Sequence, residues 1–250
     1  MAIKKKSRDE IKLMKFAGSV VAMVHQEMKN IIKPGLTTKY LDNIANEIIR
    51  DNKCEPTFLG YNGFTGSICA SINSEVVHGI PSENVTLIDG DIISVDVGAT
   101  YRGLVGDGAW TYPVGEITQD KQMLLKATEE SLMEAIATAK DGICLDEVSG
   151  AIEDVAKKYK LGIVRQYGGH GVGRAMHEEP FIFNYRVGSK IILKAGMTLA
   201  IEPMLNLGVD EVKVLDDEWT VVTTDDKASA HFEHSILILD NGAEILTKLH

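Results

Sequence analysis

The chain has 250 residues, of which 44% are hydrophobic and 25% charged, a composition typical of one large globular domain or two small ones. The net charge is −10 and no basic tract stands out beyond Lys4–Lys6, so nucleic acid is not an expected partner. No apolar run approaches the ~20 residues that a membrane span needs, and the N-terminal residues lack the apolar core of a secretion signal.

The pattern at the start of the chain predicts two helices. Ser7 stands three residues before Glu10, the spacing of a capping box, so the first helix should begin after Ser7 and run to about Ile32. Thr37 or Thr38 is suited to cap a second helix, because apolar residues recur beyond it at helical spacing. Both helices should therefore present one apolar face to a core.

The region that follows has the composition of β-strands and contains two aspartates. Residues 92–97 form a β-prone run that includes Asp96, and a second such segment, Tyr101–Tyr112, includes Asp107. A glycine in Ala99–Gly103 could turn one strand back on the other, so we expect a hairpin that carries both carboxylates.

The two aspartates have two interpretations. Strands avoid aspartate and a buried carboxylate is costly unless it is paired or binds a metal, so Asp96 and Asp107 could converge on one cation. Alternatively, both are surface turn residues, because Asp107–Gly108 is an ordinary turn signal. The rest of the chain favours the first interpretation.

Two more helices are predicted over about Thr118–Ala139 and Leu145–Tyr159, and short β-prone runs follow to the C-terminus. This order repeats that of the preceding residues, so we expect two similar halves with a boundary at about 113–118. The corresponding features are Lys33–Leu36 with Lys140–Ile143, His78–Pro81 with His177–Pro180, and Asp96 with Glu202. Two such halves facing each other across a pseudo-twofold axis would form an α/β (α+β) fold with acidic strands at its centre.

Five residues in β-prone or glycine-rich segments are candidate metal ligands: Asp96, Asp107, His170, Glu202 and Glu233. The glycines on both sides of His170 should leave room for a ligand or metal to approach its ring. Four carboxylates gathered without cations would repel one another strongly, and divalent metals would relieve that repulsion. Five ligands exceed what one metal usually needs, so we expect two metal ions about 3.5–4 Å apart that share bridging carboxylates. Oxygen donors with one imidazole and no thiolate suit Mn, Fe or Co at least as well as Zn.

With these residues the chain resembles the methionine aminopeptidases over essentially its whole length. The resemblance is carried together by Asn73–Pro81, Asp91–Gly98, Gly106–Asp107, Gly169–Pro180, Gly196–Pro203 and His231–His234. It implies the pita-bread fold, a pseudo-twofold antiparallel sheet with two pairs of helices on its outer face, as a single catalytic domain over residues 1–250. The short interval between Glu202 and Glu233 leaves no room for the long helical insertion of type II members, so the chain looks like the bacterial type I form.

The resemblance also implies roles for the candidate ligands. Asp107 and Glu233 would bridge the two metal ions. Asp96 would complete one metal site, and His170 and Glu202 would complete the other. Metals held in this way would make a water molecule nucleophilic near neutral pH.

The resemblance also implies catalytic roles for three residues. Glu202 would shuttle a proton, His177 would donate to the carbonyl oxygen of the first residue, and His78 would contact the scissile amide. The alternative for both histidines is that they are loop residues making ordinary hydrogen bonds.

The family pattern further implies an apolar pocket for the methionine side chain, because a thioether packs well on aromatic edges. Its residues would be Phe58, Tyr61, Phe64, Cys69, Met176 and Trp219. Cys69 could instead be an ordinary core residue, since free cysteine is often buried. Some relatives carry a cysteine at the position of Phe58.

The implied function is removal of the initiator methionine from the N-termini of newly made polypeptides when the second residue is small. One alternative is an Xaa-Pro peptidase of the same fold, but such enzymes usually add a sizeable N-terminal domain that 250 residues do not accommodate. The other alternative is a non-catalytic binding protein on this scaffold. Such relatives tend to lose metal ligands, whereas all five candidate ligands are present in this sequence.

The remaining expectations concern the setting of the protein. Three cysteines are too few, and odd in number, for a disulfide framework, so we expect a reducing compartment, the cytoplasm. We expect a monomer without nucleic-acid or membrane partners, and the resemblance leaves association with the ribosome open.

Overall fold

Four α-helices lie in two pairs along residues 3–249, the part of the chain that this structure, a computed structural model, describes. They are α1 (Arg8–Ile31), α2 (Thr38–Asp51), α3 (Gln119–Thr138) and α4 (Leu145–Tyr159). Ser7 and Glu10 form the predicted capping box at the start of α1. The side chains of Thr37 and Thr118 cap α2 and α3. The predicted helices are therefore confirmed to within a residue or two at each end.

The strands of the described residues pair only in the antiparallel sense. They are β1 (Glu55–Pro56), β2 (Ile68–Ile72), β3 (Glu75–Val77), β4 (Ile92–Tyr101), β5 (Leu104–Pro113), β6 (Gly162–Ile163), β7 (Gly169–Gly171), β8 (Glu178–Ile182), β9 (Thr198–Ile201), β10 (Met204–Asn206), β11 (Val212–Val214), β12 (Val221–Thr223), β13 (Ser229–His231), β14 (His234–Leu239) and β15 (Gly242–Ile245). The largest groups are β1-β4-β2, with β5 on the other side of β4, and β15-β14-β9-β7-β8. Two three-stranded groups, β13-β10-β6 and β11-β12-β3, complete the sheet structure.

The hairpin β4–β5 is the longest pairing in the described chain, with each strand ten residues long. Asp96 stands opposite Ala109, and Asp107 stands opposite Gly98, so the two carboxylates lie two positions apart along the ladder. The predicted hairpin is confirmed, but its turn is shorter than expected. Both residues of Arg102–Gly103 have positive φ, and the ladder continues right up to that pair.

Each pair of helices packs on its own apolar core. In the first core, Val24 and Leu41 from α1 and α2 contact the cluster that contains Val95 of β4. In the second, Ile152 of α4 belongs to the cluster that contains Ile236 of β14. Full burial of one such side chain stabilises the fold by roughly 1.5–3 kcal/mol. The helices thus hold the two largest groups of strands from outside.

The strands of the two halves meet along β5 and the residues around the start of β14. The Ser235 hydroxyl donates to the Asp107 carbonyl oxygen at 2.8 Å and accepts from the Asp107 N–H at 3.0 Å. The Glu233 N–H donates to the carbonyl oxygen of Ala109 at 2.8 Å. These bonds place Asp107 beside Glu233. We call residues 3–113 the first half and residues 118–249 the second half, since the predicted boundary falls on the connection from β5 to α3.

Candidate metal centre and active site

One cavity of about 700 Å³ is lined by residues of both halves, and every residue predicted to form the site lines it. These are the predicted ligands Asp96, Asp107, His170, Glu202 and Glu233, the histidines His78 and His177, and the apolar residues Phe58, Tyr61, Phe64, Cys69, Met176 and Trp219. Residues that are far apart in sequence are therefore close enough to act on one bound molecule.

Each predicted ligand lies in a strand or at the end of one. Asp96 is in β4, Asp107 in β5, His170 in β7, Glu202 directly after β9, and Glu233 between β13 and β14. Asp107, His170 and Glu233 are buried, and one ligand atom from each lies within 4.8 Å of the others. Three donors at this separation can share one ion.

Several oxygens of this cluster have no hydrogen-bond partner. They are Oδ1 of Asp96, Oδ1 of Asp107 and Oε1 of Glu233, and all three are buried. A buried carboxylate oxygen without a partner is costly. Cations held among these atoms would satisfy all of them.

Burial and mutual repulsion raise the pKa of the clustered carboxyl groups. Burial, followed by the charge of Asp107, raises the pKa of both Asp96 and Glu233 well above the usual range. Burial also raises the pKa of Asp107 and of Glu202. Four such groups cannot all be ionised at neutral pH without compensating positive charge, which divalent cations would provide.

The imidazole of His170 is oriented as a metal donor. Its Nδ1 lies 2.9 Å from the carbonyl oxygen of Gly171, and because a carbonyl only accepts, Nδ1 carries the proton. Its Nε2 therefore presents a lone pair, 3.6 Å from Oδ2 of Asp107 and 3.4 Å from Oε1 of Glu202. Burial lowers the pKa of His170 to about 3, so the ring is neutral, the form that binds metals.

The glycines beside His170 serve a different purpose from the predicted one. A side-chain carbon at Gly169 would collide with the carbonyl oxygen of Ala200, and one at Gly171 would collide with that of Glu179. These glycines let β9 and β8 approach the backbone of β7. The expectation that they leave space for a ligand is therefore replaced by a packing requirement that fixes the position of His170.

The donor set fits divalent cations that prefer oxygen and imidazole ligands. The one thiol that lines the cavity belongs to Cys69, and burial raises the pKa of this thiol well above its usual value. A protonated thiol is not a metal ligand. Cys69 thus belongs to the apolar wall, and the candidate ligands are carboxylates with one histidine.

Two histidines lie above the carboxylates. His177 is exposed at the cavity mouth, where its Nδ1 lies 3.0 Å from the Tyr61 hydroxyl and its ring centre is 4.4 Å from that of His170. The ring of His78 makes edge contacts with Trp219, at 6.2 Å between ring centres. Burial lowers the pKa of His78 to about 4, so it is neutral near pH 7.

The backbone holds His78 in an uncommon conformation. Its φ is +62°, in the left-handed region that costs energy for any residue other than glycine. The next residue, Gly79, packs directly on the backbone of Ala70, and its N–H donates to the Ser71 hydroxyl at 3.0 Å. These contacts fix the direction in which His78 leaves the chain, toward the cavity.

The loop that carries His177 is tied to the N-terminal segment. The carboxylate of Glu178 accepts from the backbone N–H groups of Arg174 and Ala175, at 2.7 and 3.2 Å. Its other oxygen lies 2.8 Å from Nζ of Lys6, whose side chain is only 1% exposed. These charge-assisted contacts lower the pKa of Glu178 although burial opposes them. The position of His177 therefore depends on a contact with the start of the chain.

The apolar wall of the cavity combines aromatic and sulfur-containing side chains. Phe58, Phe64, Cys69 and Met176 are buried and belong to one cluster, against which Trp219 packs. Phe64 and Trp219 meet edge to face at 5.0 Å between ring centres. This surface suits an uncharged side chain with high polarisability.

Sequence reasoning assigned no role to several residues that line the same cavity. His231 is the most prominent, because its buried Nε2 has no hydrogen-bond partner and lies 3.5 Å from Oε2 of Glu202. The other unassigned residues include Asn62, Gln166, Tyr167 and Phe181. His231 could have been noticed from its position two residues before Glu233, but no local pattern marks the others.

Buried carboxylates and one imidazole gathered between two antiparallel halves are a donor set typical of metal-dependent hydrolases. The profile of metallopeptidase family M24 matches residues 12–240. Methionine aminopeptidase 1 of Bacillus subtilis is 51% identical over 98% of both chains. The chain belongs to metallopeptidase family M24 and, within it, to the methionine aminopeptidases.

Solved structures agree with this assignment. The crystal structure of methionine aminopeptidase from Thermotoga maritima superposes with a TM-score of 0.97 at 46% identity, covering 99% of this chain and 100% of that one. Prolidase from Pyrococcus furiosus has a TM-score of 0.80 at 23% identity, and the match covers 98% of this chain and 66% of that chain. The second likeness concerns the shared pita-bread fold alone. The enzyme is thus a metallopeptidase that depends on divalent metal.

Proposed function

We propose that this enzyme removes the initiator methionine from newly made polypeptides when the second residue is small. The observation that carries the proposal is one cavity in which five metal donors lie beside an apolar, aromatic wall. Such a wall accommodates a methionine side chain, and the donors lie next to it, where the first peptide bond would be.

We further propose that two divalent ions occupy the centre. Asp107 and Glu233 are suited to bridge them, since both are buried and adjacent and each has an oxygen without another partner. Asp96 would complete one site, and His170 with Glu202 the other. When bound, the ions would lower the pKa of water and polarise the substrate carbonyl. Co, Mn or Fe fits this donor set, and Zn is compatible with it.

Glu202 is the residue we assign to proton transfer. It directly follows β9, and burial raises the pKa of its carboxyl group, which favours a proton acceptor that can also release the proton. Oε1 lies 3.4 Å from His170 and Oε2 lies 3.5 Å from His231, so the carboxylate is held between two rings. Glu202 would take a proton from water and deliver it to the leaving amine.

His177 would stabilise negative charge on the carbonyl oxygen. If the Tyr61 hydroxyl donates to Nδ1 of His177, the proton of the neutral ring lies on Nε2. That N–H would then be free to donate to the oxygen as the carbonyl is attacked. His78, held by its strained backbone, would contact the scissile amide and position the peptide.

The substrate α-amino group and methionine side chain would enter first, with the second residue near His78. Phe58, Phe64 and Met176 offer no charged group to the side chain, so lysine or aspartate would be desolvated without a partner. The second substrate residue must pass between the carboxylates and the histidines, which would limit the size of its side chain. We therefore expect Met-Ala, Met-Gly and Met-Ser peptides to be good substrates.

The cellular setting is also part of the proposal. Cys54, Cys69 and Cys144 are all free thiols, which supports a reducing compartment, the cytoplasm. None of the described helices is long and apolar enough to cross a membrane. We propose that the enzyme acts as a monomer on polypeptide N-termini near the ribosome.

A peptide panel tests the function. Purified enzyme is freed of metal with a chelator, reloaded with Mn, Fe or Co, and assayed on Met-Ala-Ser, Met-Lys-Ser and Xaa-Pro peptides. We expect no activity without metal and the highest kcat/KM on Met-Ala-Ser. A preference for Xaa-Pro would support the proline-peptidase alternative, and hydrolysis of no peptide would support a binding protein.

A further inference from the structure

Three aromatic residues follow at alternate positions from the cavity along β8 and the segment after it, of which Phe181 is exposed and Phe183 and Tyr185 are half-buried. Phe181, Phe183 and Tyr185 alternate with Ile182 and Asn184, which are buried. Strand β8 ends at Ile182, so contacts between the rings, rather than strand geometry, keep the three aromatic residues on one surface. Phe181 is 42% exposed.

The three rings contact one another in sequence. Phe181 and Phe183 are 4.7 Å apart between ring centres, and Phe183 and Tyr185 are 5.5 Å apart, both edge to face. The guanidinium of Arg165 lies over Tyr185 at 4.6 Å, and it is paired with Asp210 at 2.7 Å. We call Phe181, Phe183 and Tyr185 the aromatic ledge. It is a row of touching aromatic rings, and the cation that lies over Tyr185 is already paired.

The ledge begins at the active site. Phe181 lines the cavity, and it stands directly opposite His170 in the pairing of β7 with β8. Residues that face each other across antiparallel strands project from the same face of the sheet. The ledge therefore lies on the side of the sheet that carries the candidate ligand His170. Strand β8 is also the last strand of its group, so the surface is not covered by another strand of that group.

We propose that the aromatic ledge binds the substrate polypeptide downstream of the scissile bond, from about the fourth residue onward. This inference rests on the proposed function, because the first residue occupies the apolar wall and the rest of the chain must leave through the mouth. The two ring distances put the ring centres of Phe181 and Tyr185 no more than about 10 Å apart, the length of roughly three extended residues. Aromatic rings with a nearby arginine are common anchors for such contacts. Large exposed apolar surfaces commonly mark binding sites.

Peptide length is the variable that tests the ledge. The tripeptide Met-Ala-Ser reaches only the cavity, whereas an octapeptide with the same first three residues and apolar residues at positions four to six reaches the ledge. Wild-type enzyme should cleave the octapeptide with about tenfold higher kcat/KM, mainly through a lower KM. Phe183→Ala should remove about fivefold or more of that advantage and leave tripeptide cleavage within twofold.

The control is Phe16→Ala, which removes an aromatic ring that is 39% exposed on α1, where it contacts Tyr101 at 4.3 Å between ring centres and does not line the cavity. This variant should keep the full length advantage. Thermal unfolding of both variants identifies any loss of folding. Tyr185→Ala provides a second point on the ledge, with the same expected pattern.

A double comparison sharpens the assignment. Changing the fourth substrate residue from glycine to phenylalanine should raise kcat/KM in wild type and have much less effect in Phe183→Ala. Equal losses on tripeptide and octapeptide, or no dependence of kcat/KM on length in wild type, would reject the ledge as a binding surface. Failure of wild type to cleave Met-Ala-Ser would instead reject the proposed function, so the two failures are distinct.

Discussion

The two halves of the molecule deliver their candidate ligands in different ways. The first half places Asp96 and Asp107 on one uninterrupted hairpin, in which the backbone ladder alone fixes their separation. The second half gathers His170, Glu202 and Glu233 from three short strands or their ends. A continuous ladder is a local device, whereas three separated donors depend on contacts between distant parts of the chain.

In the second half, where no single ladder fixes the donors, tertiary contacts hold them in position. Ser235 ties β14 to the backbone of Asp107, and Lys6 ties the loop of His177 to the N-terminal segment through Glu178. Much of the second half of the site is thus held by groups that bind no metal or substrate. The comparison teaches that substitutions in the first-half hairpin should mainly disturb the metals, and those in the second half of the site should disturb chemistry and geometry as well.

The largest effect is expected from Asp107→Asn in the hairpin. This change removes a charge that we propose to contact both ions, so metal content should fall and activity on Met-Ala-Ser should be nearly abolished. Metal analysis of the purified variant, paired with kcat/KM at saturating metal, measures both. Activity close to wild type after reloading would show that Asp107 is not a shared ligand.

The same substitution predicts a pH-dependent change in stability when metal is absent. The pKa of Asp107 is raised by burial, so the metal-free folded state binds its proton more tightly than the unfolded state does. Stability of metal-free wild type should therefore fall as pH rises above about 4. Metal-free Asp107→Asn lacks this group, and its advantage in unfolding free energy should be smallest near pH 4 and grow with pH. Urea denaturation in chelator at several pH values tests it, and an advantage that shrinks with pH would contradict it.

His177→Ala tests the chemical contribution of the second half. If His177 donates to the developing oxyanion, kcat should fall by about 10²–10³. Metal content should remain that of wild type, because His177 is not among the proposed ligands. Single-turnover kinetics and metal analysis on the same preparation separate the two. Loss of metal in this variant would show that His177 is a metal ligand, and its effect would then resemble that of a first-half ligand substitution.

The sequence predicts the first half of the site better than the second, for a physical reason. The hairpin is local, so the pairing of β4 with β5 could be predicted from a β-prone run, a glycine in the turn, and two aspartates in segments where strands usually avoid them. The contact of Lys6 with Glu178 joins the N-terminal segment of the first half to a loop of the second half, and no spacing rule signals it. Tertiary packing also explains why Gly169 and Gly171 were interpreted as space for a ligand when they serve strand approach.

The same limit applies to the aromatic ledge and to His231. Phe181, Phe183 and Tyr185 alternate in sequence, but alternation alone does not say which face is covered. His231 gains meaning only from its position beside Glu202. The helices, by contrast, were predicted closely, because capping residues such as Ser7 and Thr118 act within one turn.

Lys6→Met should have a smaller effect, on stability as well as on catalysis. It leaves the Glu178 carboxylate with backbone donors only, and breaking such a buried pair costs about 3 kcal/mol. Lys15→Met is the matched control, because the Lys15–Glu244 pair is partly exposed, at 34% and 26%, and should cost no more than about 1 kcal/mol. Chemical denaturation gives both values, and a lower kcat at unchanged metal content would show that the loop has shifted.

A second variant keeps this prediction testable. Lys6→Met combined with Glu178→Gln removes the unpaired charge and should recover part of the lost stability. If the two single substitutions simply add, the contact between Lys6 and Glu178 is not what holds the loop.

The smallest expected effect concerns the methionine pocket, where both halves contribute a wall. Sulfur–aromatic contacts are worth about 0.3–1.5 kcal/mol, so methionine should exceed norleucine in kcat/KM by roughly twofold to tenfold on otherwise identical peptides. Phe64 supplies an aromatic edge from the first half, and Met176 supplies an aliphatic surface from the second. Phe64→Leu should therefore shrink the preference for methionine, whereas Met176→Leu should leave it nearly unchanged. The test is to measure kcat/KM for the methionine and norleucine peptides with both variants. If the preference for methionine falls equally in Phe64→Leu and Met176→Leu, the aromatic edge of the first half is not its source.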